Sequence, residues 1–518
     1  MAPKKKPYFY CVFPSSDDEE EEEQEVNHTS SDEENEPYSR FYNKGPNDGL
    51  FTNEEFDEIF EDGSYYPPNF ERGWDFYVGE QTSEFWLYTT PIRPAIPTKT
   101  TITRDWTNVD NTGYDSNLQL LTQNGFKYIR DIDFEYERIA VTTPTQSKVV
   151  YEAVHEFLQT SYRSQHVISI NEIKFGENQQ MLYDARMIGS KHNHSFQTGI
   201  ISNLDQIENI KLKTWFEVGY DGPVAPEYLL VKNIFNLDTP EKSSAFYKIA
   251  GFFLGDGSMA YDVGTQNGRI SFYNHKKRDP VYTTRNLKAL GLKKKVDWSA
   301  HIMKKVTAYV INVRNPLYAV WYDKIFGHRY KHSRNHQQWA SKLTTKAIDK
   351  AVYMKNIPPA ESRAIADGIN YADGLGPYRK KVFTSSLEFV NFLTVIMVHA
   401  GYSTFTNRAD QVQAYHYEGS IIYGEEYSSL RDDEKILCKP IETNGYIWVV
   451  NYSATNKRDY KKSQGYDREM IYPESIRTKM WTIKNSTGFT IVRSVERDKK
   501  NRITRLNSPT IVPVLKIE

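Results

Sequence analysis

Two nine-residue stretches decide how this chain is read: Ile249-Ala250-Gly251-Phe252-Phe253-Leu254-Gly255-Asp256-Gly257 and Ala366-Asp367-Gly368-Ile369-Asn370-Tyr371-Ala372-Asp373-Gly374. Each reads as the end of a helix, and Gly257 and Gly374 suit the left-handed position that closes one. Asp256 and Asp373 then stand at helix C-termini, where the last carbonyls already give negative potential, so a carboxylate there calls for a cation. Two such ends side by side, with the Gly255 and Ala372 carbonyls, would make an oxygen-rich pocket suited to Mg²⁺. Ala250, Gly251 and Gly255 in one copy, and Ala366, Gly368 and Ala372 in the other, remove bulk so that two helices can approach closely. Either motif alone is an ordinary helix end; the pair inside a repeat is not.

The surroundings repeat as well. After the first stretch come a strand at Arg269–Asn274, a helix ending at Ala289-Leu290 before Gly291, and a strand at Ala308–Val313. After the second come a strand at Lys381–Ser385, an apolar helix from Leu387 to Ala400 before Gly401, and a strand at Tyr446–Val450. An internal repeat of this size points to duplication and a pseudo-two-fold axis within a monomer.

Charge is distributed just as unevenly. The 518 residues carry a formal net charge of −2, yet residues 246–381 hold 25 Lys and Arg against 9 Asp and Glu, an excess of 16 positive charges. A basic block in a near-neutral chain indicates a polyanionic partner. Residues 15–62 are acidic, with the run Asp17 to Glu23 at their centre, and residues 1–45 read as a disordered acidic tail. No run of about 18 apolar residues marks a membrane span, and no apolar leader marks secretion. Two cysteines, Cys11 and Cys438, exclude a disulfide framework and a cysteine-rich zinc site. The expectation is an intracellular, DNA-containing compartment, with Lys4-Lys5-Lys6 as a short nuclear-import cluster. His328, His332 and His336 recur every four residues and would line one helix face, as a polar stripe rather than a zinc site.

The two motifs resemble those of the LAGLIDADG homing endonucleases, in the single-chain, two-motif (DOD-type) class. Asn315-Pro316-Leu317-Tyr318 resembles that family's Asn-Pro-Leu-Trp helix start, and Lys355-Asn356-Ile357-Pro358 resembles its Lys-x-Ile-Pro block before motif two. The resemblance implies an α+β fold of two αββαββα-like halves over residues 246–480, and metal-dependent hydrolysis of both strands of double-stranded DNA at a long recognition site. Asp256 and Asp373 would be the metal-binding and catalytic carboxylates for Mg²⁺ or Mn²⁺, with the Gly255 and Ala372 carbonyls beside them. Lys355, and Lys461 or Lys462 in the second half, would polarise water or neutralise the charge of the transition state. Strands would read base edges through Arg269, Tyr273, Arg314, Arg379, Lys380 and Lys381, each equally suited to a phosphate contact. The chain departs from the family pattern at Leu254 and Tyr371, where an acidic residue is usual, and at Asp367 and Asn370, which make motif two polar for a buried helix contact. The same resemblance allows a catalytically silent DNA-binding relative or an RNA-intron maturase.

Leu118 to Ile132 reads as a strand, a turn and a second strand. It resembles the opening of the Hint fold of inteins, and Met480–Ile483 with Gly488–Val492 resembles that fold's late strands. Splicing would need a nucleophile upstream of the hairpin, a Thr-x-x-His pair and a terminal His-Asn. Upstream stand only Thr112 and Ser116; His192 and His194 have no Thr three residues ahead, and the chain ends Val-Leu-Lys-Ile-Glu. The organisation expected is thus an acidic tail (1–45), a strand-rich segment (46–110), a degenerate Hint-like β domain (111–245), the two-motif domain (246–480), and C-terminal strands completing the Hint-like part (481–518).

Overall fold

Both motif stretches are helix ends, and the sequence explains where each helix begins. The computed structural model describes residues 53–60, 101–103, 112–145, 147–162, 166–170, 173–176, 178–185, 196–200, 210–262, 267–274, 278–303, 308–313, 331–333, 336–338, 356–374, 380–410, 414–417, 420–440, 446–454, 470–471 and 478–517. Its main helices in chain order are α1 (Asn53–Phe60), α2 (Pro226–Ile234), α3 (Pro240–Asp256), α4 (Arg278–Ala289), α5 (Pro359–Asp373) and α6 (Leu387–His399). At the start of α3 the Thr239 hydroxyl accepts from the Lys242 amide at 3.2 Å and Pro240 occupies the first turn; both are helix-start chemistry. Ser386 caps α6 in the same way, accepting from the Phe389 amide at 3.1 Å.

The architecture is α+β, with many strands and few helices among the described residues. Sheet A is antiparallel, in the order Gly257–Asp262, Asn267–Asn274, Ala308–Val313, Trp298–Met303. Sheet B runs Lys381–Thr384, Tyr446–Ser453, Ser403–Asp410, Ile503–Leu506, Val495–Arg497. Alternating residues send Ile270, Phe272, Ile311 and Val313 of sheet A, and Val382, Trp448, Val450 and Tyr452 of sheet B, into one apolar core with α3, α4, α5 and α6. The residues beside them, Ser271, Val310, Asn312 and Val449, are buried as well.

A second region is built almost wholly of strands. The hairpin read at Leu118–Ile132 pairs Gln119 with Tyr128 and Thr122 with Gly125, and Gly125 takes a φ of +106° that favours glycine. The strands Thr478–Asn485 and Phe489–Arg493 are not partners of one another. They enter two different sheets, pairing with Glu156–Tyr162 and with Gln119–Thr122 respectively. Strands from the end of the chain therefore close sheets begun before residue 185. The C-terminal segment also does something the sequence did not indicate: its hairpin Val495–Leu506 joins sheet B through Thr406↔Leu506 and Asn407↔Arg505.

The strand region and the helical core meet at α6. Val395 and Val398 pack with Leu121, Tyr151 and Ile491, and the Tyr151 hydroxyl lies 2.8 Å from His399 Nε2. Arg493 is fully buried there. Its Nε donates to Gln119 Oε1 at 2.7 Å, its Nη2 to Asn391 Oδ1 of α6 at 2.5 Å, and its Cζ stands 4.2 Å from the centre of the Phe126 ring. Burial lowers the proton affinity of this guanidinium, which nevertheless keeps its charge at neutral pH.

Three expectations change. Within the segment expected to be strand-rich, residues 53–60 form α1, because Phe56, Ile59 and Phe60 fall at helical spacing, and Ile59 and Phe60 are buried against sheet A and α4. Glu55 and Glu58 bind Arg285 and Lys288 of α4 at 2.6 and 3.0 Å, so part of the basic excess is answered inside the chain. Exposed pairs of this kind contribute about 1 kcal/mol or less each, whereas burying an Ile or Phe side chain contributes roughly 1.5–3 kcal/mol; the apolar pair holds α1. Second, His332 and His336 lie in a two-stranded hairpin that pairs Ser333 with His336, not on a helix. The stretch offers no apolar residue at helical spacing, and Ser333 and Asn335 favour a turn; His328 lies outside the described residues. Third, Gly257 and Gly374 are extended, with φ of −83° and −115°, not left-handed. Glycine is needed there for space: a Cβ on Gly257 would stand 2.2 Å from Phe253 Cδ2, and one on Gly374 would stand 2.1 Å from Asn370 Oδ1.

Candidate functional site

Helices α3 and α5 run parallel in close contact along the small residues of the two motifs. A Cβ on Gly251 would lie 2.2 Å from the Ile365 carbonyl oxygen, and one on Gly368 would lie 2.1 Å from that of Lys248. Real interiors hold carbon and oxygen about 3.3 Å apart or more, so backbone meets backbone here and neither position admits a side chain. Further along, a Cβ on Gly255 would meet Ala372 Cβ at 2.4 Å and Asp373 Oδ2 at 3.0 Å. The Asp373 carboxylate therefore rests against the residue that precedes Asp256.

Asp256 and Asp373 are the last residues of their helices and both are half-buried. Each sits on the negative end of a helix dipole, beside a second helix whose dipole points the same way. Two hard oxygen donors in that field, with the Gly255 and Ala372 backbone alongside, fit a divalent cation such as Mg²⁺ or Mn²⁺. No group of three or more His, Cys, Asp or Glu side chains converges among the described residues.

Asp367 and Tyr371 of motif two have partners across the contact. The Tyr282 hydroxyl of α4 donates to Asp367 Oδ2 at 3.1 Å, and Lys248 Nζ of α3 stands 3.8 Å from the same oxygen. Tyr371 stacks on Tyr282 with ring centres 3.8 Å apart, and Arg278 Cζ lies 5.5 Å from the centre of the Tyr371 ring. Burial raises the proton affinity of Asp367, against the opposing pull of Lys248. The sequence marks Asp367, Asn370 and Tyr371 as departures but does not indicate Tyr282 and Lys248 as the partners of Asp367 and Tyr371. The signal available was a lone acid in a small-residue motif, which has to find a donor on whatever packs against it.

The remaining expected residues are scattered over this frame. Arg269 and Tyr273 occupy the strand Asn267–Asn274, paired in register with Ala260 and Val310. Between them, Ser271 donates to Asn312 Oδ1 at 2.6 Å, and Asn312 Nδ2 stands 3.3 Å from His301 Nδ1, a polar row across three strands of sheet A. Lys381 alternates with core-facing Val382 and pairs in register with Asn451, which sets it on the face of sheet B turned from the helices. On that face Arg505 Nε donates to Asn407 Oδ1 at 3.0 Å. Lys380 is exposed, with Nζ 4.9 Å from the centre of the Tyr402 ring. Arg314, Lys355, Arg379, Lys461 and Lys462 lie outside the described residues.

The neighbour of Lys355 is placed, however. Ala225 donates its amide to the Asn356 carbonyl at 3.0 Å, and Glu361 in the first turn of α5 accepts from Tyr228 at 2.8 Å. Asn356 thus sits at the start of α5, and a 15-residue helix puts Asp373 about 21 Å further on.

No known family model matches the chain, and no curated protein does. No helix among the described residues is long and apolar enough to cross a membrane.

Proposed function

We propose that this chain is a metal-dependent, site-specific endonuclease of double-stranded DNA, built on the LAGLIDADG plan. What carries the reading is the parallel packing of α3 and α5, backbone against backbone, so that two aspartate-terminated helices end together and each leads toward its own sheet. The order helix, strands, helix, strands on either side of that contact supports two pseudo-symmetric halves. Closure of the early sheets by strands from residues 478–513 supports a Hint-like domain into which the endonuclease part is inserted.

On this reading Asp256 and Asp373, with the Gly255 and Ala372 carbonyls, hold Mg²⁺ or Mn²⁺. A divalent cation held there would supply Lewis acidity and an activated water for phosphodiester hydrolysis. The protein's own part is positioning: the glycine contacts fix the two carboxylates relative to one another, and the face of sheet B with Lys381, Asn407 and Arg505 lies against DNA. Arg269, Tyr273, Arg314 and Arg379 are further candidates for that contact. Because Asn356 lies at the far end of α5, we assign water polarisation to Lys461 or Lys462 and give Lys355 a phosphate contact.

The test is a library of long duplex targets incubated with Mg²⁺. Cleavage of a defined target, lost by at least about 10³-fold in Asp256→Asn and in Asp373→Asn with duplex binding retained, is the expected result. Tight binding without cleavage, indifferent to Asp256→Asn, would instead identify a silent DNA-binding or maturase relative.

A further inference from the structure

The basic residues of this chain are not all used in the same way. Arg285 takes Glu55, Arg502 takes Asp498, Arg431 takes Glu434 and Arg505 takes Glu496. Among the described residues Arg497 has no carboxylate partner: its Nη1 donates to the Asn501 carbonyl and its Nη2 to the Tyr128 hydroxyl, both at 2.8 Å. A guanidinium has five donors, so those two bonds leave three for a ligand. Arg497 lines a cavity of about 440 Å³ together with Arg130, Lys174, Tyr128 and Asn117. One carboxylate also lines it, that of Asp115, and its Oδ1 is engaged with the Asn117 amide at 2.6 Å. Arg130 approaches its own neighbour Asp131 at 3.8 Å, and its Cζ stands 5.2 Å from the centre of the Tyr128 ring.

The cavity opens beside the tip of the hairpin Val495–Leu506, where Lys499 and Lys500 are exposed. That tip is fixed in shape. Asp498 accepts from the Lys500 and Arg502 amides at 2.9 Å each and from Arg502 Nε at 2.7 Å, and these bonds hold its carboxyl below the usual range. Cations on a preformed turn lose little freedom when they bind. The hairpin is also continuous with sheet B, adding two strands beyond Ser403–Asp410. At about 4.8 Å per strand this carries the sheet roughly 10 Å further, or about three more phosphates along one strand of a duplex.

We infer that this cavity and hairpin tip form a second phosphate-binding surface, which takes the backbone of duplex DNA leaving sheet B and seats it against the strand region. The inference rests on the DNA reading above but concerns residues that reading does not need: Arg130, Lys174, Arg497, Lys499 and Lys500. Its ligand is the phosphodiester backbone, so it contributes affinity and register rather than base choice.

The experiment measures binding of the full chain to a mixed-sequence duplex of about 40 base pairs as a function of salt. The variants are Arg130→Gln/Lys499→Gln/Lys500→Gln, whose side chains make no hydrogen bond that the fold needs, and the same triple with Arg497→Gln. A charge-matched control carries Lys232→Gln/Lys242→Gln/Lys293→Gln, on the helical side. Each lost phosphate contact lowers the slope of log affinity against log salt by about 0.9, so the triple should lose about 2–3 and the control less than about 1. An unchanged slope in the triple, or an equal fall in the control, overturns the inference while leaving the endonuclease reading intact. Stabilisation by inorganic phosphate alone, lost in the Arg497 variant with no change in slope, would assign the cavity to a free anion and overturn it as well. Absence of any duplex binding by the unaltered chain is the separate outcome that removes the DNA reading.

Discussion

Replacing Gly368 with alanine tests the helix contact on which everything else depends. The added carbon would stand 2.1 Å from the Lys248 carbonyl oxygen and 2.7 Å from the Phe252 nitrogen. Reaching an ordinary separation of about 3.3 Å requires α3 and α5 to part by about 1 Å, because the atoms struck are backbone and cannot rotate away. Overpacking of this kind costs about 1–3 kcal/mol, and rigid partners place it near the upper end. Alanine recovers about 1 kcal/mol as the better helix former, so a net loss of about 2 kcal/mol is expected. At about 2–4 °C per kcal/mol, thermal unfolding should fall by about 4–8 °C. Gly251→Ala, facing the Ile365 carbonyl at 2.2 Å, should cost a similar amount. The double variant should cost clearly less than the sum, since one parting of the helices relieves both clashes. Strictly additive losses, or a Gly368→Ala protein as stable as the parent, would show that the two glycines do not share one tight contact.

Three further substitutions probe the polar elements of the core. Asp367 binds its proton more readily folded than unfolded, chiefly through burial, so its contribution to stability is full below the unfolded pKa and is lost as pH rises through the folded one; Asp367→Asn, which still accepts from Tyr282, should therefore be at least as stable as the parent at pH 7 and lose that advantage by about pH 4, as followed by thermal melts across that range. At Arg493, removing the cation should be milder than removing its partner: Arg493→Met gives up charge-assisted bonds but also the cost of burying charge, for a net loss of about 0–2 kcal/mol, whereas Asn391→Leu leaves the guanidinium under-bonded and should cost about 3 kcal/mol or more. Denaturant titration ranks the two, and the opposite order would refute the reasoning.

How much of this could be read from sequence depends on whether the determining contact is local. The helix end at Asp256 and the helix Leu387–His399 could be placed because a glycine follows each within two residues and the second is an unbroken apolar run. The hairpin at Gln119–Tyr128 could be placed because its turn and its partner are adjacent. The small-residue pattern of the motifs even indicated that two helices should touch. What escaped were pairings between distant segments: Val495–Leu506 on the edge of sheet B, and α1 on α4. No local pattern specifies which edge a hairpin will join, and an eight-residue amphipathic helix after an acidic run looks like more of the run. The left-handed caps expected at Gly257 and Gly374 failed for a related reason. Glycine serves both torsional freedom and absence of bulk, and only the neighbour at 2.1–2.2 Å tells which one applies.

The two motifs share two glycines and the closing aspartate and differ at most other positions. Where the first has Ala250, Phe253 and Leu254, the second has Asp367, Asn370 and Tyr371. In a homodimer such a difference could not exist, because a symmetric contact gives both copies the same sequence. In a single chain it can, and the structure shows what it is used for: Asp367 reaches Lys248 on α3 and Tyr282 on α4, while Tyr371 stacks on that same tyrosine. A contact that only had to bring two helices together would need the glycines alone. The added network also fixes rotation of α5 against α3 and α4, since stacked rings and a shared carboxylate oxygen tolerate less sliding than apolar side chains do. The small residues set how close Asp256 and Asp373 come, and the polar residues of the second motif set how they are turned.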